Sequence, residues 1–174
     1  MKRLFFLALS LAAFPALAGV IEGKVIEVPD GRSLTVLSSS GSSMHRIRIA
    51  GLEAPARDGP YGGSSRENLR RLAYGKTVRV EADSIDAKGQ LVGVVQILAG
   101  PKGCGDKPCV TPPDPVLGQL SAGLARIDRT HLDHYSADAQ QRFALAMETA
   151  RKNRLGFWRD PAYLLQANAF SRGP

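Results

Sequence analysis

The chain has 174 residues, of which 44% are apolar, 22% charged and 6% aromatic. That composition excludes a disordered chain or a fibrous repeat, and the length suits one domain with a sizeable core. Lys and Arg number 23 against 16 Asp and Glu, a net charge of +7, and a basic surface favours anionic partners without naming one.

Residues 1–18 read as an address. Lys2 and Arg3 precede an apolar run from Leu4 to Leu17, and Ala16-Leu17-Ala18 has the small-x-small form of a cleavage site. This is a secretory signal peptide, with Gly19 expected to open a periplasmic or secreted chain. The run is short for a span and holds Pro15 near its end, so no stable membrane span is expected after cleavage.

Val20 to Val28 is rich in β-branched residues and stops at the turn signal Pro29-Asp30-Gly31. A second strand is predicted from Arg32 to Ser38. In a third, His45, Ile47 and Ile49 share one face, and Arg46 and Arg48 the other. Gly51 to Gly63 should be a loop. Ser64 and Glu67 form a capping-box pattern, predicting a helix to about Tyr74 that ends at Gly75. Lys76–Ala82 and Leu91–Leu98 read as strands. Between them and the later helices lies a Gly/Pro-rich loop with Cys104 and Cys109. Outside the cytoplasm such a pair reads as a disulfide, restricting the unfolded chain by about 2 kcal/mol.

A short helix around Val116–Ala122 and a small strand in Leu124–Ile127 follow. Ser136 opens the longest helix, predicted to run to Leu155 and stop at Gly156, with Phe143, Met147 and Ala150 as its core stripe. Phe157 and Trp158 should anchor its end. Asp160-Pro161 then starts a final helix from Ala162. The fold class expected is α+β: an OB-type five-stranded barrel with helices over residues 19–160, then a helical extension over 161–174.

Several segments carry a family resemblance. Val28-Pro29-Asp30-Gly31-Arg32-Ser33 resembles the Asp-Gly-Asp-Thr turn of the staphylococcal nuclease (thermonuclease) family, and Arg46 to Ala56 resembles its Arg-Leu-x-Gly-Ile-Asp-x-Pro-Glu segment. Tyr61-Gly62, the stretch Leu120–Ile127, and Ala150-Arg151 with Gly156-Phe157-Trp158 are similar to further family segments, in the same order. The resemblance implies the family's barrel. It also implies calcium-assisted cleavage of phosphodiesters, in which two aspartates hold the metal, a glutamate activates water and two arginines offset phosphate charge.

Carried over residue by residue, those roles are mostly lost. The turn's second Asp falls on Arg32, the Asp after the third strand on Glu53, the Glu on Ala56, the first Arg on Arg48 and the second Arg on Gln90. Loss of a general base commonly costs about 10²–10⁴ in rate, and loss of charge stabilisation about 10²–10³. Asp58 and Asp30 are the nearest carboxylates that could stand in, and each has an ordinary reading in a loop or turn.

The resulting expectation is a catalytically degenerate nuclease-like protein needing no cofactor, in which Arg32 pairs with Glu53 in place of the metal. Arg48 would remain as the anion contact, helped by Arg46, Arg57, Arg66, Arg70 and Arg71 toward nucleic acid or another polyanion. Tyr61 and Tyr74 are the aromatics nearest the site segments. Two competing readings are an extracytoplasmic nuclease with altered metal use, for which calcium is the expected ion, and a scaffold for a protein partner. His131 and His134 beside Asp133 are most simply a polar turn.

Overall fold

A computed structural model describes residues 19–98 and 113–170. Residues 1–18, where a signal peptide is expected, and Cys104 and Cys109, expected to form a disulfide, lie outside the described residues.

Strands β1 (Gly19–Asp30), β2 (Ser33–Ser38) and β3 (Met44–Ile49) form an antiparallel meander, followed by the two-residue β4 (Leu52–Glu53). Helix α1 (Gly62–Ala73) leads to β5 (Thr77–Ile85) and β6 (Leu91–Ile97). After α2 (Pro115–Ser121) come the short β7 (Arg126–Ile127), a 3₁₀ turn, the long α3 (Ala137–Lys152), a second 3₁₀ turn and α4 (Pro161–Phe170).

The main sheet closes in the order β1-β2-β3-β6-β5, with β5 returning to β1. Closure depends on the length of β1. Residues 19–24 pair with β5 and residues 23–30 with β2, and register shifts at Val25/Glu27 and Glu27/Asp30 bend the strand between its two partners. β3 and β6 run parallel, an arrangement reached because α1 and β5 intervene between them. The result is the five-stranded OB-type barrel with added helices that the order of elements predicts.

Alternation along the strands sorts the side chains. Val25, Leu34, Val36, Ile47, Ile49, Val78, Val80 and Val95 fill the barrel, and Leu69, Val116, Leu120 and Phe143 continue that core under α1, α2 and α3. Arg46 and Arg48 project away from Ile47 and Ile49, as the period of two requires. Phe143 and Ala150 are buried and Met147 is partly so, making the α3 stripe core packing.

Two helix ends differ from expectation. The Ser64/Glu67 capping box does not form: α1 starts earlier, at Gly62, behind Tyr61 in the left-handed conformation (φ 64°) with no side-chain cap. The helix start is held from the neighbouring residue instead: Ser65 is buried and its hydroxyl donates to the Leu124 carbonyl at 2.7 Å, while Ser64 is exposed within the first turn. Helix α3 ends at Lys152 rather than Leu155. The chain then turns through Arg154 (φ 52°) and Gly156 (φ 55°), whose backbone lies directly against that of Gly123 (φ 64°). A Cβ at either glycine would collide with the other segment's carbonyl, so this crossing fixes where the carboxy-terminal part leaves the barrel.

Candidate functional site

Four segments converge at the barrel mouth: the β1–β2 turn, β4 with the loop after it, β7, and the stretch from Phe157 to Tyr163. They enclose a cavity of about 350 Å³ lined by Arg32, Glu53, Ala56, Arg126, Phe157 and Tyr163, with Ala54, Pro55, Gly59 and Pro60 completing the wall.

The turn is built from both sides. The Asp30 carboxylate accepts from its own turn, from the Arg32 backbone N–H at 2.9 Å and the Ser33 hydroxyl at 3.2 Å. Beneath it, the fully buried Gln119 donates through Nε2 to the Gly31 carbonyl at 2.6 Å and to the Ser65 carbonyl at 3.0 Å, and accepts from Asn68 at 2.6 Å. Gly31 itself seats against the Ser65 side chain, leaving no room for a Cβ. A buried polar cluster of α1 and α2 therefore determines where Arg32 begins.

Glu53 and Arg126 are directly opposite in the β4–β7 ladder, and their side chains pair at 3.3 Å. This replaces the expected Arg32–Glu53 pair. Both residues line the cavity, but the cross-strand neighbour takes the carboxylate. Arg32, half-buried in the cavity wall, has no ion-pair partner among the described residues.

Arg48 is also placed differently from expectation. It pairs with Asp128 at 2.8 Å, both side chains are largely shielded, and Arg48 does not line the cavity. Burial pushes the Asp128 carboxyl up, but hydrogen bonds from Thr130 and the charge of Arg48 outweigh it and hold the group below the usual carboxylate range. The Asp128 backbone N–H donates to the Gly51 carbonyl at 3.0 Å, locking the segment after β7 onto the end of β3.

Of the other substituted positions, Ala56 lines the cavity and contributes no ionisable group, while Gln90 lies in the Asp86–Gln90 turn outside it. Asp58 is exposed and not part of the wall. The supporting arginines divide. Arg66 donates to the Val28 carbonyl, Arg70 pairs with Glu67 and Arg71 donates to Asn68. Arg46 and Arg57 are exposed. Tyr74 is exposed beneath the Arg70 guanidinium, whereas Tyr61 donates to Asp160 at 3.3 Å and packs against the mouth aromatics. His134 lies 3.4 Å from Asp83 and 3.7 Å from Asp133, in a turn away from the cavity.

Arg126, Asp128, Gln119 and Tyr163 belong to the site or its support and were not singled out by sequence reasoning. Arg126 carries a weak signal, since it lies in the strand predicted over Leu124–Ile127, and Asp128 follows that strand directly. Gln119 and Tyr163 carry none, because their roles come from tertiary placement.

The residues present do not fit a calcium ion. Calcium takes about six to eight oxygen ligands. Here a guanidinium stands at one carboxylate position, Glu53 is already held by Arg126, and the described residues contain no group of three or more His, Cys, Asp or Glu arranged to hold a metal.

The sequence profile of the family described as Staphylococcal nuclease homologue matches residues 46–160. The chain is 33% identical over 95 residues to an uncharacterized endonuclease of Escherichia coli O157:H7, covering 55% of this chain and 61% of that protein. It is 28% identical over 152 residues to a micrococcal nuclease of Shigella flexneri, covering 87% of this chain and 80% of the relative. A third relative, Protein ParB of Escherichia coli, is 26% identical over 161 residues, or 89% of this chain and 81% of its own. With the profile spanning more than half the chain on a closed five-stranded barrel, the protein belongs to the staphylococcal nuclease homologue family.

Proposed function

We propose that this chain is an exported nuclease-fold protein that binds nucleic acid or another polyanion at the barrel mouth and does not hydrolyse it by the metal-assisted route. One observation carries the reading: Arg32 lines the mouth cavity without a carboxylate partner among the described residues, while the one acidic wall residue is engaged by Arg126. A guanidinium in that position attracts a phosphate and repels a divalent cation.

The test is incubation of purified protein with single-stranded DNA and RNA, with calcium or with chelator, alongside binding measured across a salt series. Expected are intact oligonucleotides in both conditions and binding that weakens as salt rises, reduced by Arg32→Ala. Calcium-dependent cutting would replace this reading with an extracytoplasmic nuclease using metal differently, an alternative favoured by the relatives' printed names, endonuclease and micrococcal nuclease. Absence of both cutting and salt-sensitive binding would point to a scaffold for a protein partner.

A further inference from the structure

The family profile ends at residue 160, and the next segment of the chain reaches back into the cavity. Helix α4 begins there because the Asp160 carboxylate accepts from the Tyr163 backbone N–H at 3.1 Å and Pro161 occupies the first turn. The same carboxyl group accepts from the Tyr61 hydroxyl at 3.3 Å. The Tyr163 ring packs 5.3 Å from both Phe157 and Tyr61, at steep or tilted angles, so α4 is tied to the barrel by a three-ring cluster. From this seat Tyr163 forms one wall of the cavity that Arg32 also lines. Burial pushes its phenol up, Arg126 opposes that shift, and Glu53 and Tyr61 add to it, which sets the hydroxyl in the field of the Glu53–Arg126 pair.

A half-buried aromatic ring and a guanidinium without a carboxylate partner thus share one cavity of about 350 Å³. Ring faces bind flat apolar bodies and guanidinium groups bind oxyanions, so the ligand that satisfies both carries a planar body a short tether away from an anion. An unpaired nucleotide within a single strand has that form. A paired base does not, because its faces are covered by its neighbours in the duplex stack.

We propose that α4, outside the family profile, completes the binding site, and that Tyr163 is its specificity-determining residue, stacking one unpaired base while Arg32 holds the adjacent phosphate. This rests on the polyanion reading above and adds the class of polyanion: single-stranded nucleic acid, bound through a base as well as its backbone.

The test compares three probes on the intact protein: an eight-nucleotide oligothymidylate, an abasic strand with the same number of phosphates, and a duplex of equal length. Wild type should prefer the oligothymidylate over both others. Tyr163→Ala should weaken oligothymidylate binding by about tenfold, the scale of one base–aromatic stack, and leave abasic binding unchanged. Tyr163→Phe should retain the preference. Tyr163→Leu, which fills the space without a planar face, should lose it, and unchanged fluorescence of Trp158 beside Phe157 would report an intact mouth in each variant. Equal wild-type affinity for oligothymidylate and abasic strand overturns the proposal, as does equal loss of both in Tyr163→Ala. In either case, abasic binding that still depends on Arg32 leaves the polyanion reading standing. No salt-sensitive binding to any probe defeats that reading and this one together.

Discussion

Gln119→Leu should be among the most damaging conservative changes in the protein. The substitution keeps the side chain's approximate volume and removes every hydrogen bond that the buried amide makes. The Gly31 carbonyl loses its 2.6 Å donor, and Asn68 Nδ2 loses its 2.6 Å acceptor, keeping only a long 3.4 Å contact to the Gly118 carbonyl. At about 1–3 kcal/mol for each buried polar group left unsatisfied, two such groups predict a loss of about 2–6 kcal/mol. Against a total stability of about 5–15 kcal/mol, that is a large fraction. Urea unfolding should show the midpoint falling with little change in slope. Gln119→Glu should be worse than Gln119→Leu at neutral pH, because a carboxylate would face the Gly31 and Ser65 carbonyls with no N–H to offer. A Gln119→Leu variant within about 0.5 kcal/mol of wild type would refute the claim that this cluster fixes the turn carrying Arg32.

Four further outcomes follow from the same geometry. Arg48→Ala should destabilise the fold by about 1–3 kcal/mol, by stranding the shielded Asp128 carboxylate, yet leave polyanion binding near wild type because Arg48 is outside the cavity; titration with an oligonucleotide and thermal melting separate the two effects. Because the Asp128 carboxyl is depressed in the folded state, its contribution is present above the unfolded carboxyl range and lost as pH falls through the depressed value, so Asp128→Asn should flatten the acid limb of a stability–pH profile; an unchanged limb would show that other carboxylates set it. Gly156→Ala should cost about 2 kcal/mol or more, since a Cβ there meets the Gly123 carbonyl and the backbone is left-handed, and it should lower the melting temperature measurably. Arg32→Asp would put a second carboxylate beside Glu53, and calorimetry should then detect calcium heat absent from the parent; no heat would mean that Arg126, which already holds Glu53, also keeps a cation out.

Much of the fold is legible because it rests on local periodicity. Strands β2, β3 and β6 declare themselves through alternation or continuous apolar runs, and Ser136 caps α3 as its position suggests, accepting from the Ala139 N–H at 3.3 Å. The site is legible only as far as chain positions map onto family motifs. Arg32, Glu53 and Ala56 do meet in one cavity, but the pairing of Glu53 depends on β4 lying antiparallel to β7, which joins residues more than seventy apart in sequence. Arg48 finds Asp128 through the same long-range ladder. Two-residue strands have no period to read, so the small strand predicted in Leu124–Ile127 does not disclose which residues it pairs with.

The two ion pairs have a common consequence. Arg126–Glu53 and Arg48–Asp128 both connect the chain around the end of β3 to the segment around β7, the first as one rung of a ladder only two residues long and the second beyond its end. Carboxylates and guanidinium groups of the chain itself thereby cross-link the elements that, in the family pattern, would converge on a metal. With each of those pairs neutral, Arg32 leaves the mouth with one uncompensated positive charge among the described wall residues. A phosphodiester, carrying a single negative charge, brings that mouth to neutrality, whereas a calcium ion would raise it to about +3 in a partly desolvated cavity. Charge balance thus favours an anion entering alone, and it makes the sign of residue 32 the variable on which the choice between binding and metal-assisted cleavage turns.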